Sequence, residues 1–306
     1  MKTIIRFFEE CVEKYNANPF LWEKKTDYFE PLTYTQTKEQ VYRFAAGLLQ
    51  LGVKRDDKVA LLSEGRNDWI VGELAILHTG AVNVPLSIKL EERNDLIFRL
   101  QHSESNYIIV SKGQLPKIRT IINELPIVEK IIVFDELDEY HDNEISLSEI
   151  CRMGDEKLAA EPECVSSVSS QIQGSDMANI SYTSGTTADP KGIILTHRNY
   201  TANVEQCLTL IQIPPHYKTL IILPLDHCFA HVAGFYSFMA YGASVATVKT
   251  GRTPIETLKN IPINIKEIKP NVLLSVPSLA KNFRKNIEAG IKAKGNFIKQ
   301  LEFRSI

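Results

Sequence analysis

Apolar positions along this chain alternate between two spacings. Ile4, Ile5, Phe8, Cys11, Val12 and Tyr15 recur at helical intervals at the start. Residues 20–23 and 28–33 then read as a short hairpin around Lys25-Thr26-Asp27. Val41, Phe44, Ala45 and Leu48 give a second helix, with Gly52 in the turn beyond it. Short β-branched runs at 58–62, 81–84, 107–110, 130–134 and 178–183 predict strands. Helical patterns at about 67–78, 91–101 and 115–124 fall between them, and 67–78 is apolar enough all round to be internal. Pro85 makes continuation of the 81–84 run in a central strand difficult. Later strands are expected at 219–223, 244–248 and 271–275, and later helices at about 197–211, 228–240, 254–260 and 277–291. Such a succession predicts an α/β fold of the doubly wound kind, with ligands beyond the carboxyl ends of the strands.

The segment 135–175 interrupts the alternation. Residues 135–161 carry ten acidic side chains against two Lys or Arg, so the segment reads as a solvated insertion with little core material. Residues 281–306 carry seven Lys or Arg against two acids. That basic end is mainly a solvated helix face, although contact with anionic lipid is also open to it. The formal net charge of -2 gives no nucleic-acid signal. The five cysteines, at 11, 151, 164, 207 and 228, form no C-x-x-C pair and read as free thiols of a reducing compartment. With an amphipathic start and no run of eighteen apolar residues, the expected location is cytoplasmic, with peripheral membrane contact as the variant.

Candidate chemistry concentrates in the run from Ser181 to Arg198. Thr183-Ser184-Gly185-Thr186-Thr187 offers four hydroxyl side chains and several backbone N–H groups to phosphate oxygens. Gly185 opens backbone geometry closed to other residues, and Lys191 supplies a point charge. Thr196 is placed to cap the following helix, whose N-terminal dipole would add to the cradle. Neither a Walker A pattern nor a G-x-G-x-x-G fingerprint is present, and by composition alone an ordinary surface loop remains open. His227 and His231 lie four residues apart without the glutamate of an H-E-x-x-H site, so zinc is not expected. Taken alone, His227 reads as a structural histidine, and Phe235 and Phe238 as core.

The stretch from Tyr182 to Gly192 resembles the signature loop of the adenylate-forming superfamily, the acyl-CoA synthetases and their relatives. Its usual form is Tyr-Thr-Ser-Gly-Thr-Thr-Gly-x-Pro-Lys-Gly, and ten of eleven positions here are compatible; Ala188 stands where glycine is usual. Leu32-Thr33-Tyr34, the run from Ile76 to Leu86, Leu195 to Asn199, Leu223-Pro224-Leu225-Asp226-His227 with Gly234, and Ser275 to Leu279 resemble further family blocks, the last of them as in long-chain fatty acyl-CoA synthetases.

The resemblance implies the layered parallel-sheet subdomains of an acyl-CoA synthetase N-terminal domain, truncated. A first α/β subdomain would span about 50–180, and residues 1–49 plus 181–306 would form part of a second. It implies ATP-dependent conversion of a fatty acid to acyl-AMP, then thioester formation with coenzyme A. Thr183, Ser184, Thr186, Thr187 and Lys191 would then surround the phosphates, with Gly185 and Gly192 shaping the backbone. Thr183 or Thr187 would contact Mg²⁺. His227, Phe235 and Phe238 would lie at the carboxylate and acyl-adenylate pocket. The family's magnesium-binding glutamate and the catalytic lysine of its C-terminal lid have no counterpart here, and Lys191 does not replace that lysine. The isolated piece is therefore expected to turn over little or not at all. An acyl-AMP or aryl-CoA ligase, or a noncatalytic nucleotide-binding or interaction module, stands as the alternative. An unpaired sheet edge left by truncation would allow homo-oligomers.

Overall fold

Thr3 accepts the Arg6 N–H and so caps α1 (Ile4–Tyr15), whose face of Ile4, Ile5, Phe8, Cys11 and Val12 is buried. The chain is described here from a computed structural model, for residues 3–183, 190–251 and 253–293. Strands β1 (Pro19–Glu23) and β2 (Glu30–Thr33) form the expected antiparallel hairpin. Thr33 and Gln36 close a reciprocal capping box on α2 (Tyr34–Leu51), and Gly52 ends it at φ 110°.

The alternation continues through β3 (Lys58–Leu62), α3 (Asn67–His78), β4 (Val82–Pro85), α4 (Arg93–His102), β5 (Ser105–Val110), α5 (Leu115–Arg119), β6 (Lys130–Val133) and β7 (Glu144–Ser146). Helices α6 (Leu147–Ala160) and α7 (Cys164–Ser169) lead to β8 (Met177–Thr183), β9 (Lys191–Thr196), α8 (His197–Leu210) and β10 (Lys218–Ile221). A π-helical segment, Ala230–Tyr236, then runs into α9 (Ser237–Ala240), followed by β11 (Ser244–Thr247), α10 (Pro254–Ile268) and α11 (Pro277–Ala293).

Two sheets result. The larger has the order β7-β6-β5-β3-β4-β8-β9 and is parallel except for its antiparallel edge strand β9. The smaller has the order β10-β11-β1-β2. This is the α/β fold of parallel-sheet layers expected from the sequence. One large hydrophobic cluster joins Val59 and Leu61 of the first sheet to Leu21 and Val245 of the second. Helix α3 contributes Trp69, Ile70, Leu74 and Leu77 to that cluster, which is why its apolar surface has no solvent face.

Several expectations change. The acidic segment is not a bare insertion: it supplies β7, α6 and α7, with Ile150 and Val165 fully buried. Helix α6 lies so close to α2 that a Cβ on Gly154 would stand 1.9 Å from the Arg43 carbonyl oxygen. Backbone-to-backbone packing of this kind needs little apolar mass, so composition does not reveal it. Residues 191–196 form an edge strand rather than loop, and the expected boundary near 180 falls inside the β8–β9 hairpin of the larger sheet. The expected strand at 271–275 reduces to a single bridge, Thr219 to Val272, with Leu273 38% exposed. Among the described residues no helix is long and apolar enough to cross a membrane.

Candidate functional site

The hairpin fixes where the hydroxyl-rich loop emerges. Thr183 and Lys191 are register partners at its loop end, and both are exposed. Cross-strand partners point to the same face, so hydroxyl and ammonium leave the sheet together at the carboxyl end of β8. Ser184, Gly185, Thr186 and Thr187, with Ala188, lie outside the described residues. One expected element is displaced. Thr196 does cap α8, accepting from the Asn199 N–H, but it pairs with Met177 at the opposite end of the hairpin. The start of α8 therefore sits about 17 Å along the strand from Lys191, too far for its dipole to act on a charge held at that lysine.

The other face of the hairpin rests on α4. The Tyr182 hydroxyl donates to the Arg99 carbonyl at 3.1 Å and lies 2.9 Å from His102 Nδ1, while the Arg99 guanidinium stands 5.7 Å from the Tyr182 ring centre. Burial pushes the Tyr182 phenol up from its ordinary value, opposed by Ser103 and Arg99. Gly192 matters here for close approach, because a Cβ would stand 3.2 Å from Ile180 and 3.4 Å from both His102 and Tyr182.

His227 is exposed, at a turn beyond the carboxyl end of β10, and its N–H donates to the Pro224 carbonyl at 3.2 Å. Beside it, burial raises the Asp226 carboxyl, opposed by Ser87 and by the charges of His227 and Lys89. Phe235 and Phe238 are packed in the core, Phe235 against Tyr236 with ring centres 4.5 Å apart. Neither lines the apolar cavity along β10. That cavity, of about 10 Å³, is bounded by Thr219, Ile221, Leu223, Ala230, Gly234 and Leu274 among others. It has room for about one water molecule, far short of the roughly 300–1,000 Å³ of ordinary ligand sites.

A buried polar cluster, missed in the sequence, joins the two regions. Glu73 of α3 and His231 of the π-helical segment are each 1% exposed at the side chain, and His231 Nε2 hydrogen-bonds Glu73 Oε2. The other carboxylate oxygen accepts from Asn83 Nδ2 at 3.2 Å. Asn83 is the register partner of Asn179 in β8, and the Ser181 hydroxyl donates to Asn179 Oδ1 at 2.8 Å. Trp69, Tyr200 and Tyr236 surround the imidazole with ring centres 5.4, 5.3 and 4.9 Å away. Burial raises both tyrosine phenols, and the Glu73 charge adds to it. A carboxylate interrupting the apolar helix 67–78, and an asparagine inside a buried strand, were the available signals.

His197, the first residue of α8, is likewise buried, and its Nδ1 accepts the Ile4 N–H at 3.4 Å. Burial pushes it down to about 4, with Asp176 opposing and His78 reinforcing. Among the described residues no group of three His, Cys, Asp or Glu side chains is placed to hold a metal.

The family model described as AMP-binding enzyme matches residues 8–302. A chloroplastic long-chain-fatty-acid–[acyl-carrier-protein] ligase, AEE15 of Arabidopsis thaliana, is 29% identical over 302 residues, 95% of this chain and 40% of the relative. The long-chain-fatty-acid–CoA ligase ACSBG2 of Xenopus laevis is 27% identical over 306 residues, 97% of this chain and 40% of the relative. The chain thus spans about two fifths of the length of these relatives. Among solved structures, the anthranilate CoA ligase AuaEII in complex with anthranoyl-AMP superposes with a TM-score of 0.76 at 20% identity, covering 89% of this chain and 49% of that one. At that identity the likeness establishes the fold.

Proposed function

The chain belongs to the AMP-binding enzyme family, and from that premise we propose that it is the nucleotide-phosphate-binding part of an ATP-dependent, adenylate-forming ligase. The acid's carboxylate oxygen would attack the α-phosphorus of ATP, forming acyl-adenylate and releasing pyrophosphate. The thiol of coenzyme A would then attack the acyl carbonyl and release AMP. The observation that carries this reading is the exposed Thr183–Lys191 pair at the mouth of the hydroxyl-rich loop, at the carboxyl end of β8. Ser184, Gly185, Thr186 and Thr187 would complete the cradle, and Gly192 would set the approach of the strand to α4.

Positioning and charge neutralisation are the protein's main contributions to phosphoryl chemistry, and a lysine at this point supplies the charge. The described side chains alone do not make a magnesium site, which calls for six oxygen ligands. Mg²⁺ is therefore taken as entering with ATP, with Thr183 or Thr187 as a protein contact. His227 would face the carboxylate from its exposed turn.

The long-chain relatives favour a fatty acid as substrate. The fold shared with an anthranilate ligase favours the second reading, an aromatic or other short acid. Calorimetry with Mg-ATP on the chain and on Lys191→Ala tests the first claim. The expected result is at least a tenfold weaker affinity for the variant, worth about 1.4 kcal/mol; equal affinities would remove Lys191 from the site. Binding of acyl-sulfamoyl adenosines, straight-chain against aromatic, decides between the acids. Binding of ATP with no affinity for either series would point to a noncatalytic nucleotide-binding module.

A further inference from the structure

Between the hairpin and the turn bearing His227 lies a set of polar groups, hydrogen-bonded except between Asn179 and Asn83, where Asn179 Nδ2 and Asn83 Oδ1 have no partner among the described residues. Ser181 Oγ donates to Asn179 Oδ1, and Asn179 is the backbone register partner of Asn83 across the β4–β8 ladder, with no hydrogen bond between their side chains. Asn83 Nδ2 donates to Glu73, Glu73 pairs with His231, and the His231 N–H donates to the His227 carbonyl at 3.2 Å. Asn83, Asn179, Glu73 and His231 are each at most 1% exposed.

Geometry makes the pair a junction. Glu73 belongs to the helix packed on the larger sheet, and His231 to the segment that follows β10 of the smaller one. The π-helical winding, in which Ser237 Oγ donates five residues back to the Val232 carbonyl at 2.9 Å, sets His231 in line with Tyr236 at 22° and Phe235 at 9°. Tyr200 of α8, the helix after the hairpin, closes the third side. A carboxylate and an imidazole buried together cost desolvation that the hydrogen bond between them need not repay, so their contribution is better sought in alignment than in stability.

We propose that Glu73 and His231 are positioning residues, which hold the turn carrying His227 in register with the strand that ends in the phosphate loop. On the functional reading above, they would fix the separation between the acid's carboxylate and the nucleotide's α-phosphorus. A ligand engaging only the loop does not sense that register. A ligand spanning both sites does.

The experiment compares the chain with Glu73→Gln, His231→Gln and the double variant. Calorimetry measures Mg-ATP and whichever acyl-sulfamoyl adenosine the unmodified chain binds. Each single variant should leave ATP affinity within about twofold and weaken the adenylate mimic about tenfold or more. The double variant, in which two amides can hydrogen-bond without charge, should recover most of that loss. Equal weakening of both ligands, or of neither, overturns the proposal. A second arm needs no ligand: amide resonances of Ser181 and Thr183 should shift in each single variant and return towards their original positions in the double one. Shifts confined to residues 227–240 overturn the proposal even if the nucleotide reading stands. Shifts at Ser181 and Thr183 in a chain that binds neither ligand would uphold the register and sink the functional reading instead.

Discussion

Lowering the pH should weaken this fold through one imidazole. His197 is 1% exposed, and its Nδ1 must be unprotonated to accept the Ile4 N–H. Burial depresses it from 6.5 to about 4, against the opposing pull of Asp176. Its neutral form is therefore favoured by folding. That contribution is fully present above the unfolded value of 6.5 and is lost as pH falls towards about 4. At pH 5 the unfolded histidine is almost wholly protonated and the folded one is not, a difference of about 2 kcal/mol. The matched variant is His197→Asn, whose Oδ1 can take the Ile4 N–H without titrating. Urea unfolding followed by far-UV circular dichroism at pH 7.5 and pH 5 should show a larger fall in midpoint for the unmodified chain, by roughly 0.7 M at an m-value near 3 kcal/mol/M. Other groups titrate in both proteins and cancel in the comparison. Identical pH dependence in the two would refute the reasoning, because no other consequence of the substitution follows this window.

Gly154→Ala should destabilise by about 2 kcal/mol or more despite alanine's better helix propensity, since its Cβ would meet the Arg43 carbonyl at 1.9 Å; Gly290→Ala in α11, with nothing within 4 Å, should be neutral or gain up to about 1 kcal/mol, both read from denaturation midpoints. Arg119→Met should cost about 2 kcal/mol, because it removes two 2.7 Å bonds from the buried Glu144 carboxylate. The Arg119 guanidinium holds Glu144 below its usual range, so this contribution is present above the unfolded carboxylate value and lost as pH falls through the lowered one; the difference between the two proteins should shrink in acid. Tyr34→Phe should cost about 1 kcal/mol by thermal or urea unfolding, since the buried hydroxyl serves the Met239 and Ala243 carbonyls at 3.1 and 2.9 Å.

Local order was legible in the chain because local rules govern it. The left-handed Gly52, the all-round apolar 67–78 and the strand ending at Pro85 each follow from neighbours within a turn or two. The strand into the hydroxyl-rich run and the capping role of Thr196 were readable for the same reason, as was the family to which the loop points.

Long-range pairing decided the remainder. Nothing near residues 191–196 says that they fold back on β8, yet that pairing sets Lys191 beside Thr183 and carries the start of α8 away from both. Nothing in an acidic run announces that Gly47 and Gly154 let two helices touch through their backbones. Glu73 and His231 are 158 residues apart in sequence, and only the packing of α3 under both sheets makes a pair of them. Side-chain chemistry and short-range periodicity are written along the chain, and by themselves they determined the local elements and which residues are candidates for a phosphate cradle. Which polar groups share a buried space depends on tertiary contacts whose partners sequence spacing does not encode, and that alone decided that Glu73, Asn83 and His231 are buried together.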